Sequence, residues 1–159
     1  MSDMLVNLML LDKYTQDLPD LSACGINVRR VMPYERAHVM DFAKTHFGVG
    51  WASEVEMAFF QHPVTCFIAT CEGKIVGFAA FECTSRDFFG PTGVDPAFRN
   101  KGIGRVLLVK SLQALREMGY AYAVIGGAGP QDFYTRCAGA APIPDSVPGV
   151  YLDGLKPLE

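Results

Sequence analysis

The spacing of apolar and polar residues changes several times along the chain, and each change marks an expected element. Residues 4–14 (MLVNLMLLDKY) are mostly apolar and read as a short helix or an edge strand, followed by a connector from Asp17 to Gly25. Residues 1–25 are thus expected as an N-terminal extension to a single domain over 26–159. Alternation at Ile26, Val28 and Val31 predicts a first strand that Pro33 ends. Apolar side chains at Ala37, Val39, Met40, Ala43 and Phe47 predict a helix from Tyr34 to Phe47. A second helix, Trp51 to Phe60, repeats the pattern at Val55, Ala58 and Phe59, after a break at Gly48-Val49-Gly50. Strands follow over 65–71 and 74–83, joined by the turn Glu72-Gly73, and then over 87–94. In this fourth strand Pro91 has no N–H for a ladder and Gly90 and Gly93 weaken pairing, so it should bulge and part from a neighbour in its C-terminal half. Helical period returns from Lys101 to Met118, with Ile103, Val106, Leu107, Leu112 and Leu115 as the apolar stripe. A buried strand is expected over 121–127, a short helix from Pro130 to Cys137, and a last strand at Val150-Tyr151-Leu152.

Composition narrows the class without naming an activity. At 159 residues and 50 % apolar content the chain makes one domain that needs no disulfide or metal staple. A net charge of −3 argues against a nonspecific nucleic-acid partner. No apolar run reaches the roughly 20 residues of a membrane span. The five cysteines lack zinc-type spacing, so reduced thiols and no metal site are expected. Acids at Asp3 and Asp12 and the lack of a basic leader fit a cytoplasmic protein. The charge is uneven, however: between Asp95 and Glu117 there is no acid, and Arg99, Lys101, Arg105, Lys110 and Arg116 fall there.

That basic island coincides with the segment of greatest chemical interest, which joins the bulged strand to the Lys101–Met118 helix. Val94, Arg99, Asn100, Lys101, Gly102, Ile103, Gly104 and Arg105 bring backbone amides, glycines and cations to one helix start. First-turn amides lack intrahelical partners and carry partial positive charge, and glycines leave them open to an anion, so a phosphate fits there. A dinucleotide fingerprint is excluded because Leu107 stands where its third glycine belongs, and a Walker loop is absent.

The stretch VDPAFRNKGIGRVLL resembles the signature of the GCN5-related N-acetyltransferase (GNAT) superfamily, Arg/Gln-x-x-Gly-x-Gly/Ala, with Arg99, Gly102 and Gly104 in its defined positions. The order of expected elements over 26–155 is similar to that fold as well. The resemblance implies an α/β (α+β) architecture: a mixed, mostly antiparallel central sheet flanked by helices, with the bulged fourth strand opening a cofactor cleft. It implies acetyl-CoA as cosubstrate, its pyrophosphate on the 99–105 loop and its pantetheine arm beside the backbone of Val94. The acetyl group would pass directly to a primary amine of a small molecule or peptide. Phe133-Tyr134 resembles the superfamily's Phe-Tyr pair, which makes Tyr134 the acid for the departing thiolate, although the following Gly139 stands one position later than in many members. Glu82 is the first choice of general base, then Glu54 and Asp87. Acids at Glu54, Glu56, Glu82 and Asp87 lean toward a cationic acceptor, and Trp51 either lines the acceptor side or anchors the core. The apolar extension and the habit of the family suggest a homodimer. The alternative is a non-catalytic acyl-CoA-binding module.

Overall fold

The computed structural model describes residues 1–158. Seven strands form one sheet: β1 (Met4–Asn7), β2 (Ile26–Arg30), β3 (Cys66–Cys71), β4 (Lys74–Phe81), β5 (Phe88–Val94), β6 (Tyr122–Ile125) and β7 (Ala141–Pro142), in the order β2-β3-β4-β5-β6-β1-β7. All neighbours are antiparallel except β5 and β6. Four α-helices cover it: α1 (Arg36–Phe47), α2 (Val49–Glu56), α3 (Ile103–Glu117) and α4 (Gln131–Ala138). The mixed, mostly antiparallel sheet flanked by helices is the architecture expected above. No helix among the described residues is long and apolar enough to cross a membrane.

Two apolar cores lie on opposite faces of the sheet. One gathers α3, β1, β6 and α4 around Leu107, Leu108, Leu112 and Leu115; the other packs α1 and α2 on Ile68, Phe78 and Ala80. In α3 the expected stripe is fully buried, and the one buried hydroxyl on it, Ser111, donates to the Leu107 carbonyl at 2.8 Å. Between α1 and α2 the break is a single residue, Gly48, at φ 100°, and α2 begins at Val49 rather than Trp51.

The N-terminal segment differs most from expectation. Residues 4–7 form neither a helix nor an edge strand: β1 lies between β6 and β7. Met4 and Val6 point into the core at 0 % exposure while Leu5 faces out, the two-residue period of a half-buried strand. A short 3-10 helix over Leu8–Tyr14 then buries Leu8 and Leu11, so residues 1–25 are built into the core rather than appended to it. The expected last strand at 150–152 does not form. The place beside β6 is taken by β1, and β7 occupies the next, so Val150 donates instead to the Asp3 side chain.

The fourth expected strand, β5, behaves as its composition predicts. Its partner β6 follows it only at Phe88↔Val124 and Phe89↔Ile125, and from Gly90 onward the two strands part. On the other side β5 keeps its ladder with β4 to Val94, through an irregularity between Ala79 and Phe81. Gly93 has a packing role here, since a Cβ on it would run into the Phe47 ring. Phe47 wedges α1 against β5 and stacks on Trp51 at 4.8 Å.

Candidate active site

The parting of β5 and β6 opens a cavity of about 1450 Å3 that runs from the start of α3 to the far side of the sheet. Its apolar wall is formed by Phe89, Phe98, Leu108 and Phe133. Its charges are segregated. Arg99, Arg105 and Arg136 line it, and Glu54 is the single acid among the described residues that do.

At the α3 end, Gly102 caps the helix in the left-handed region at φ 86°, and no side chain caps the first-turn amides. A side chain at 102 is excluded twice, by that φ and by Pro19, whose Cγ would stand 2.6 Å from a Cβ. Gly104 is less crowded: a Cβ there would meet Phe133 at 3.7 Å and Val94 at 3.8 Å, ordinary contact distances. The amides of 103–105 and the missing side chain at 104 leave the helix start open to an anion, with Arg99 on the same loop and Arg136 elsewhere on the cavity lining.

Of the residues singled out in this loop, Val94, Arg99, Asn100, Gly102, Ile103, Gly104 and Arg105 line the cavity, whereas Lys101 is exposed and does not. Arg99 is held over the loop by its Nε, which donates to the Val94 carbonyl at 3.3 Å. Arg105 is committed elsewhere: its guanidinium donates to the carbonyls of Tyr14, Gln16 and Asp17 at 3.1–3.3 Å. Farther along α3, Arg116 pairs with Asp12 at 2.9 Å. Two of the five cations in the basic island therefore hold the N-terminal segment onto α3. Arg136, outside the island, also lines the cavity and carries no sequence signal, because α4 reaches it only through tertiary packing.

Tyr134 lines the cavity. Its ring is buried edge-on between Phe89 at 6.2 Å and Phe133 at 5.1 Å, and burial pushes its phenol up to about 12. Gly139 closes α4 in the left-handed region at φ 65°, and Tyr14 packs against it.

The carboxylates divide differently from the expectation. Glu82 does not line the cavity: its Oε1 accepts the Asp87 N–H at 2.6 Å, which bends the chain between β4 and β5. Asp87 stands beside it, and burial together with the Glu82 charge raises its carboxyl to about 6. Asp87 does not line the cavity either. Glu54, on the inner side of α2, does, and its Oε1 accepts from the hydroxyls of Thr84 and of Tyr151, the latter at 2.9 Å. Trp51 lines the same end, one turn earlier on α2. Thr84 and Tyr151 carry no sequence signal, because 30 and 97 positions separate them from Glu54.

Gly126 and Gly127, at the end of β6, line the cavity with backbone alone. The chain itself fills part of the room beside them: a Cβ at 127 would meet the Tyr151 ring at 3.2 Å, and one at 126 would meet Val150 at 3.4 Å.

Residues 62–137 match the family model of the acetyltransferase (GNAT) domain. No curated protein matches the chain. Among solved structures it is similar to the GCN5-related glucosamine N-acetyltransferase region of a fungal multi-domain β-N-acetylglucosaminidase, with TM-score 0.69 and 15 % identity over 89 % of this chain. A Drosophila protein superposes with TM-score 0.64 at 16 % identity, again over 89 % of this chain. The chain spans 19 % of the first solved chain and 47 % of the second. At these identities the likeness is one of fold. The matched stretch includes β5, the Arg99–Gly104 loop, α3 and Tyr134, the elements that frame the cavity. Residues 62–137 thus match the acetyltransferase (GNAT) domain model, and the chain shares its fold with solved GCN5-related structures.

Proposed function

We propose that the protein is an acetyl-CoA-dependent N-acetyltransferase that passes the acetyl group directly to a primary amine. One observation carries the reading: a single cavity, opened where β5 and β6 part, has a helix start open to an anion at one end and an isolated carboxylate at the other. That helix start is a cradle for the coenzyme A pyrophosphate, with Arg99 as its cation. The freed edge of β5 up to Val94 is where the pantetheine arm would lie.

Glu54 replaces Glu82 as the residue to receive the amine. It takes a proton from the ammonium, leaving a nitrogen lone pair that attacks the thioester carbonyl carbon as the C–S bond breaks. Tyr134 gives its phenolic proton to the departing sulfur and recovers one, through solvent, from the nitrogen as it becomes an amide. The chain itself forms no covalent bond. An acceptor with one ammonium suits a cavity with one acid, and glucosamine, named for the similar fungal region, is among the amines to test.

The decisive experiment is thiol release from acetyl-CoA against a panel of primary amines, with a thermal-shift titration of acetyl-CoA beside it. A bound ligand at 100 times its Kd stabilises by about 2.7 kcal/mol, a readily visible shift. Gly104→Glu keeps the helix start favourable, since an acid in the first turn suits the helix dipole, yet sets a negative side chain where the diphosphate belongs. Its expected outcome is an unchanged melting temperature without ligand and no shift with acetyl-CoA. Binding without thiol release on any amine would instead leave an acyl-CoA-binding module.

A further inference from the structure

We propose that Tyr151, carried in on the C-terminal segment, is a positioning residue of the acceptor end: with Thr84 it holds Glu54 so that one carboxylate oxygen is left for the incoming ammonium. The inference rests on the acetyltransferase reading and on Glu54 as the group that meets the amine.

Both hydroxyls donate to the same oxygen. Glu54 Oε1 accepts from Thr84 Oγ1 and from Tyr151 Oη, while Oε2 has no protein partner among the described residues. A free glutamate rotates about its terminal bond and offers either oxygen. Two donors converging on Oε1 remove that freedom and present Oε2 at a defined angle, which is how a carboxylate is held for a single proton transfer. Burial is the largest effect on the Tyr151 phenol and pushes it above its ordinary value, so it remains a donor through the neutral range.

Tyr151 is about half exposed, and what brings it to the cavity is a tether rather than a core. The tether is Asp3, at the start of β1 and only 9 % exposed. Its Oδ1 accepts the Gly127 N–H at 2.7 Å and the Val150 N–H at 3.3 Å, so one carboxylate oxygen joins the end of β6 to the residue before Tyr151. Its backbone is engaged as well: the Asp3 N–H donates to Ser146 Oγ at 2.9 Å, and Ile143 N–H donates to the Asp3 carbonyl at 2.9 Å. The glycines are what let the pieces close. A Cβ on Gly149 would stand 2.8 Å from Asp3 Oδ1, and one on Gly127 would press into the Tyr151 ring. The N-terminal strand and the C-terminal segment thereby build the acceptor end together, with Asp3 acting through Tyr151 on Glu54.

The test uses the full chain, acetyl-CoA, and tyramine, putrescine and glucosamine as probe amines. Tyr151→Phe keeps the ring on Gly127 and removes only the donor. The expected result is a rise of about tenfold in the amine KM, with the KM for acetyl-CoA and the melting temperature unchanged. Asp3→Ala should raise the amine KM similarly and Asp3→Asn, which keeps an acceptor oxygen, should largely restore it. The double variant Tyr151→Phe with Asp3→Ala should match Tyr151→Phe alone within about twofold, because both act through one contact. An active wild type whose amine KM is untouched by Tyr151→Phe, or whose two KM values rise together as the melting temperature drops, overturns the inference while leaving the acetyltransferase reading standing. A wild type that binds acetyl-CoA and acetylates none of the three overturns the reading and the inference with it.

Discussion

Tyr134 shows how burial sets the chemistry of one side chain. With its ring enclosed by Phe89 and Phe133, the phenol is held protonated up to about 12, well past an ordinary tyrosine. An acid is useful below its pKa, so raising that value extends the range in which the proton is available. On this account kcat should stay level from about pH 8 to about pH 10, where a tyrosine at its ordinary value of about 10 would already be half ionised. A fall in kcat with a midpoint near 10, traced to Tyr134 by its loss in Tyr134→Phe, would contradict the assignment. That variant should lower kcat by about 100-fold, the lower range for a lost general acid, with little change in melting temperature because the hydroxyl makes no bond to the described residues. The Phe133-Tyr134 pair drew attention to Tyr134 in the sequence, and the structure puts that residue on the cavity lining. Which carboxylate lines the cavity was not legible, because Glu54, Glu82 and Asp87 look alike as letters. Only the turn between β4 and β5, which folds Glu82 onto the Asp87 amide, separates them.

Helix α3 does two jobs with one run of residues. Its start offers amides to an anion, while Arg105 and Arg116 reach outward to hold residues 8–17. The sequence showed a helix of the right length, its buried stripe and its glycine-rich start, since all of these are local in period and spacing. It placed Arg99, Lys101 and Arg105 together at one phosphate site because charge along a chain says nothing about which way each side chain turns. Arg105→Ala separates the roles. The expected outcome is a loss of about 2 kcal/mol in denaturant melts, the scale of hydrogen bonds from a charged donor, because the carbonyls of residues 14–17 lose their partner. Its KM for acetyl-CoA should rise less than that of Arg99→Ala, whose side chain holds no distant segment. An Arg105→Ala protein of unchanged stability and lost acetyl-CoA binding would return Arg105 to the cradle.

Across the molecule, the cavity is polarised: cations at the α3 end and one acid beneath α2. Both substrates of the proposed reaction are charged, so the field at each end assists its own ligand. Raising the ionic strength from about 0.1 M to about 1 M shortens the screening length from about 10 Å to about 3 Å, and both KM values should climb severalfold while kcat holds. Steady-state kinetics across that salt range would expose a cavity without such polarity as salt-independent KM values. The alternation of the strands, the amphipathic α3, the Arg-x-x-Gly-x-Gly start and the weakened β5 were all readable before any coordinates. Each depends on residues within a few positions of one another, and backbone propensity and period act at that range. What folding in three dimensions decided lies at long separation: β1 pairing with β6, Asp3 reaching Gly127 across 124 positions, and Tyr151 reaching Glu54 across 97. Such contacts follow from the order in which strands enter the sheet. A hydrogen-bonded ladder accepts any strand of suitable length and alternation, so the residue pattern of β1 specifies a strand without specifying its neighbours.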